Sequence, residues 1–159
     1  MLTRLQLINF RSHADTTLAL RPVTLLVGPV GGGKSNIFKS MILIQNSIHR
    51  SMVELFPPGL VEFHWVRTRW ARETDPIGFE VEMEGLPGYT DQHARYKLQI
   101  ADSPGGLYVL EETLARRTAD QPWQWVFERR NRPRQMDQGD GTAVLKPVPL
   151  AHRGLSRIL

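Results

Sequence analysis

Residues 28–36 read Gly-Pro-Val-Gly-Gly-Gly-Lys-Ser-Asn. Three successive glycines cost an ordered chain more backbone entropy than any other triplet, so a fold that keeps them has a use for them. Their use is close wrapping: the main chain curls with its N–H groups inward and no Cβ in the way. The spacing Gly28-x4-Gly33-Lys34-Ser35 is that of a P-loop (Walker A), where the wrap encloses phosphate. Gly28, Pro29, Val30, Gly31, Gly32 and Gly33 form the cradle. Lys34 reaches the β- and γ-phosphates, and the Ser35 hydroxyl ligates Mg²⁺. A helix starting near Ser35 aims its positive end at the same anion.

Such a loop needs a strand before it and a helix after it. Val23-Thr24-Leu25-Leu26-Val27 predicts a short buried strand ending at a glycine. Ile37, Phe38, Met41, Ile44, Ile48, Met52 and Leu55 recur at helical spacing. They predict a helix over about 35–55, with a break near Ser51 allowed for, stopped by Pro57-Pro58-Gly59. Upstream, residues 2–10 alternate. Leu5 and Leu7 share one face, and Arg4, Gln6 and Ile8 the other, as in a half-buried strand. Residues 16–20 predict a second strand, joined to the first by the polar Arg11-Ser12-His13-Ala14-Asp15.

The remainder reads as β. Strands are predicted over 60–66, 78–84, 95–100, 107–111 and 123–127, with a hairpin over 94–112 turning at Ser103-Pro104-Gly105-Gly106. Beyond Arg129 the chain is polar and rich in proline and glycine, and 131–159 is expected to be a loop-rich tail. A length of 159 residues suits one domain.

Several classes of function are excluded. With no cysteine there is no disulfide, thiolate zinc site or cysteine nucleophile. His49, His64, His93 and His152 lack metal-ligand spacing, and Glu80, Glu82 and Glu84 read as the solvent face of a strand. No stretch is long and apolar enough to span a membrane or serve as a signal peptide, which points to the cytoplasm. The net charge of +4 is unevenly placed. Residues 1–115 hold 11 basic and 12 acidic side chains, and 116–159 hold 9 and 4. Arg116, Arg117, Arg129, Arg130, Arg132 and Arg134 interleave with Trp123, Trp125 and Phe127, a composition that tracks phosphates and stacks bases of DNA. The alternation at 123, 125 and 127 is equally that of a strand's buried face.

The opening strand, Asn9-Phe10-Arg11-Ser12-His13, Asp15, a second strand, a third strand and Gly28-Pro29-x-Gly31-x-Gly33-Lys34-Ser35-Asn36 resemble the start of an ABC-type ATPase head. The resemblance is to the SMC, RecF and OLD-like superfamily of DNA maintenance, repair and defence. It implies an α/β fold of P-loop NTPase type, with a β-rich mixed sheet packed around the helix that follows the loop. It implies an N-terminal lobe over 1–130, and ATP and Mg²⁺ as ligands. By the same likeness Asn36 joins the loop in binding nucleotide, and Arg11 and Ser12 lie near it, with His13 a polar loop residue. The family usually has Asn where this chain has Val30, which places hydrolysis in question. A full head is built from both ends of a long chain, so the resemblance implies a C-terminal half-head, a second chain or a second copy as partner.

The Asp-Glu strand that supports Mg²⁺ and water in this family has one candidate, Leu107-Tyr108-Val109-Leu110-Glu111-Glu112. It reads better as a strand with two solvent-facing acids. No Leu-Ser-Gly-Gly-type signature is present. No catalytic residue is therefore assigned. The alternative to an ATPase is a nucleotide-sensing interaction module that does not hydrolyse ATP. The partner surface would include Trp65, Trp70, Trp123 and Trp125, unless these are core.

Overall fold

The computed structural model describes residues 1–131 apart from 59–61, 87–88 and 119. Six strands form one sheet: β1 (Leu2–Phe10), β2 (His13–Ala19), β3 (Ile77–Leu86), β4 (Tyr89–Ala101), β5 (Tyr108–Thr118) and β6 (Gln124–Arg130). Their order is β2-β1-β3-β4-β5-β6. Helix α1 (Lys34–Ser47) follows the glycine loop, and two single-turn helices, α2 (Met52–Leu55) and α3 (Phe63–Val66), lead back to β3.

The alternation in β1 does what its residues require. Leu5 and Leu7 are wholly buried. They face the same core as Phe79, Val81, Tyr96 and Leu98, and Ile37 and Ile44 of α1, with Ile48 just past its end, enter it from the helix side. The other face of the sheet is ionic. Arg4 pairs with Glu80 at 2.5 Å, Arg95 with Glu82 at 2.8 Å, and Lys97 with Glu111 at 2.6 Å. Half-exposed pairs of this kind contribute at most about 1 kcal/mol each, but they mark this face as the wet one.

The helix predicted over 35–55 breaks where a break was allowed for: α1 ends at Ser47, and Ser51 starts α2 with a reciprocal capping box to Glu54. Three expectations are corrected. Every described strand pair is antiparallel, so the sheet is not mixed. Phe63–Val66 is a helical turn where a strand was expected over 60–66. Residues 23–27 belong to no strand. Val23, Leu25 and Val27 are 88%, 83% and 83% exposed, and Leu26 alone touches the core. An apolar run that could be buried on both faces needs strands on its edges and layers on both sides. The described chain supplies only one.

Helix α1 likewise carries apolar side chains that the described residues leave uncovered. Phe38 and Ile42, one turn apart on its outer side, are each 57% exposed. The tail predicted over 131–159 lies outside the described residues from 132 onward.

Candidate functional site

The site grows from a two-residue turn. Phe10 pairs with His13 across β1 and β2, leaving Arg11 and Ser12 at the bend. Arg11 takes φ 51° and Asn9 φ 53°, a left-handed region that costs a non-glycine residue about 1–3 kcal/mol. Asparagine bears it more easily than most residues. The turn is braced from one side by 66–76. Asn9 Nδ2 donates to the Pro76 carbonyl at 3.1 Å, and the Arg11 N–H to that of Val66 at 2.7 Å. The Thr68 N–H donates to the Asn9 carbonyl at 2.8 Å.

The glycine loop braces it from the other side. Asn36 Nδ2 donates to Ser12 Oγ at 2.8 Å. His13 is buried, with Nε2 3.2 Å from the Gly33 carbonyl and Nδ1 3.0 Å from Thr16 Oγ1. A carbonyl only accepts, so in the neutral ring Nε2 carries the proton and Nδ1 accepts from the threonine. Gly33 is required here twice over. Its φ is +85°, and a Cβ would stand 2.7 Å from Ser12 Oγ and 3.0 Å from the His13 ring.

Within the loop, Gly31 also has a left-handed φ of +81°. Lys34 Nζ donates to the carbonyls of Gly28 at 2.7 Å and Pro29 at 2.6 Å, so the lysine spans the mouth of the loop. Gly33, at the N-terminal cap of α1, has no side chain to offer, and the first turn carries no acidic residue. The positive end of the helix therefore has no local counter-charge from this turn. Ser35 is exposed, and Val30 projects fully into solvent. Arg11 is half-buried, with its guanidinium 5.8 Å from the Phe10 ring centre. Its Nε is buried with no partner among the described residues.

The turn thus brings Ser12 against Gly33 and Asn36, with Arg11 on the same turn. Sequence reasoning missed His13, expected as a polar loop residue, and Thr16 behind it. A signal was available. Directly paired residues share a face of the sheet, so a core-facing Phe10 carries His13 inward with it.

Glu111 and Glu112, in the first half of β5, do not join this site. Glu112 is 2% exposed, which corrects the reading of two solvent-facing acids. It accepts from Tyr96 Oη at 2.9 Å and pairs with Arg129 at 2.9 Å. Burial, then the Glu112 charge, push the Tyr96 phenol well above its ordinary pKa. The Ser47 hydroxyl also reaches that phenol. Ser47 ends α1, about 20 Å along the helix from Lys34 at 1.5 Å per residue. Glu111 is taken by Lys97 and Arg130. No group of three His, Asp or Glu among the described residues is placed to hold a metal ion.

Of the six arginines, Arg129 is held by Glu112, and Arg130 by Glu128 at 2.8 Å. Arg117 lies 4.7 Å from the centre of the Trp123 ring, with Arg95 4.4 Å from the same centre. Arg132 and Arg134 lie outside the described residues. Trp125 is exposed because a register shift between Leu114 and Ala115 breaks the alternation of β6. Trp65 and Trp70 are exposed as well.

No protein-family model matches the chain. Over 68 residues, 42% of its length, it is 37% identical to an OLD nuclease of Thermus scotoductus. That stretch is 13% of the nuclease, so the chain spans a small part of the relative it matches. The likeness is to a protein of the ABC-ATPase and P-loop superfamily. No described helix is long and apolar enough to cross a membrane.

Proposed function

We propose that this chain carries the phosphate-binding part of an ABC-type ATP site, with Mg²⁺ on the Ser35 hydroxyl, in a protein of DNA maintenance or defence. The observation that carries the reading is the docking of the Arg11-Ser12-His13 turn onto Gly33 and Asn36. Two motifs 20 or more residues apart are pinned to one another, and the cradle they share has no acidic side chain in its first helical turn. On this reading Lys34 leaves its loop carbonyls for the β- and γ-phosphates, and Arg11 turns its unpartnered Nε toward the anion. The test is titration of a fluorescent ATP analogue with Mg²⁺ into the chain and its Lys34→Ala variant. Loss of binding in the variant is expected, and equal binding overturns the reading.

Hydrolysis requires an acid beside the loop, and Glu111 and Glu112 are committed elsewhere. We propose that a further segment or second polypeptide supplies it, seated on residues 23–27 and the Phe38–Ile42 stripe. The bare edges of 23–27 and the two-sided apolarity of α1 support that placement. DNA contact by the arginine cluster does not enter this reading; of its described members, Arg129 and Arg130 are paired with acids, while Arg116 is exposed.

A second reading, a nucleotide sensor without turnover, is favoured by Val30 and by the burial of Glu112. Hydrolysis by the purified chain alone, abolished by Lys34→Ala, would remove it.

A further inference from the structure

We propose that His13 is a positioning residue for the phosphate-binding loop: its ring sets the Gly33–Lys34 peptide so that the Lys34 N–H faces the phosphate. This rests on the reading of the loop as a nucleotide site. In a trans peptide the carbonyl and the next N–H point in opposite directions. Holding the Gly33 oxygen against His13 Nε2 at 3.2 Å therefore turns the Lys34 N–H away from the sheet.

The same oxygen accepts from the N–H groups of Asn36 and Ile37, at 2.8 and 3.3 Å. Those donors belong to α1, which reaches the sheet only through its own packing. His13 is the partner of this oxygen that comes from the sheet itself. Its ring is buried, its Nδ1 is held by Thr16 of β2, and its strand is paired with β1. The Ser12–Asn36 bond adds a second tie on the exposed side. Arg11 belongs to the same turn. The loop, the helix start and the arginine are thus held in one frame, and His13 is its buried member.

The two ring nitrogens can be tested separately. In His13→Gln the side-chain amide reaches far enough to donate to the Gly33 carbonyl. In His13→Asn it stops at the depth of Nδ1 and serves only Thr16. Each variant is titrated with fluorescent ATP and AMP analogues in Mg²⁺, alongside wild type and Lys34→Ala, and thermal unfolding is recorded for all four. The expected result is ATP affinity within about twofold of wild type for Gln and about tenfold weaker for Asn, the loss of one well-placed hydrogen bond. AMP affinity should change much less, because AMP places fewer phosphates in the loop. Gln and Asn variants that both bind ATP as wild type does, while Lys34→Ala fails to bind, overturn the role of His13 and leave the nucleotide site standing. Equal losses in both variants, or equal losses for ATP and AMP, make His13 merely structural and also overturn it. Wild-type binding by Lys34→Ala removes the underlying reading instead.

Discussion

Asn36 donates its side-chain amide to the Ser12 hydroxyl at 2.8 Å, joining the first turn of α1 to a hairpin bend 24 residues earlier. The bond is partly exposed, so its net contribution is that of an ordinary hydrogen bond, about 0.5–1.5 kcal/mol. A double-mutant cycle with Ser12→Ala and Asn36→Ala, followed by urea unfolding, should return a coupling of about that size. Strict additivity would mean that the contact holds nothing together.

Gly33→Ala should be among the most damaging small substitutions in the chain. A left-handed φ costs alanine about 1–2 kcal/mol, and the new methyl meets Ser12 Oγ at 2.7 Å. We expect a loss of about 2–3 kcal/mol in unfolding free energy and no measurable ATP-analogue binding. Gly28→Ala is the control, since a Cβ there meets nothing within 4 Å. Near-equal melting temperatures for the two variants would refute the close-approach argument.

Arg11 stores strain at φ 51°. Arg11→Gly should raise stability by up to about 1 kcal/mol and weaken ATP-analogue binding, opposite signs from one substitution. A stability gain with unchanged binding would detach Arg11 from the nucleotide.

The strands and the loop were legible in the sequence for different reasons. β1, β3 and β4 announce themselves by alternation, since each has one wet and one dry face; β5 does not, because residues 112–115 are buried in succession. The glycine loop is legible because Gly31 and Gly33 adopt backbone angles that other residues avoid. Residues 23–27 read as a buried strand because their composition is that of one. Composition cannot say whether the neighbours that would bury it are present. The misreading of 60–66 has another origin: Phe63 and Val66, three apart, bury at helical spacing in a stretch too short for period to decide. Glu112 and His13 were misjudged together. Both are polar side chains turned inward by the pairing of two strands, which neither strand shows alone; for His13 it becomes legible once the Phe10–His13 turn is drawn.

The Tyr96–Glu112 pair gives the molecule an alkaline weakness. Tyr96 is held protonated above the pKa of an unfolded tyrosine, near 10.0. Above that pH the unfolded chain has lost a proton that the folded chain keeps, so stability falls as pH rises from about 10 toward the raised value, by about 1.4 kcal/mol per pH unit. Below pH 10 the contribution is complete and flat. Tyr96→Phe should remove this part of the slope, read as the difference between the two proteins in urea unfolding at pH 9 and pH 10.5. Parallel pH profiles would show that Tyr96 titrates normally.

Leu25 and Phe38 lie on surface that the described residues leave bare, one on the unpaired run after β2 and one on the outer side of α1. Neither is part of the core, so Leu25→Glu and Phe38→Glu should each change the unfolding free energy by less than about 0.5 kcal/mol. Their effect should fall on association. An exposed apolar extended run with unpaired backbone recruits other strands, so the wild-type chain should self-associate in a concentration-dependent way. Both variants should shift toward monomer in light scattering at matched concentration. If a completing polypeptide is co-expressed, the same variants should lose its capture while Trp70→Ala, on the far-exposed loop between α3 and β3, retains it. Monomeric wild type, with capture unaffected by either glutamate, would mean that this face is finished as it stands.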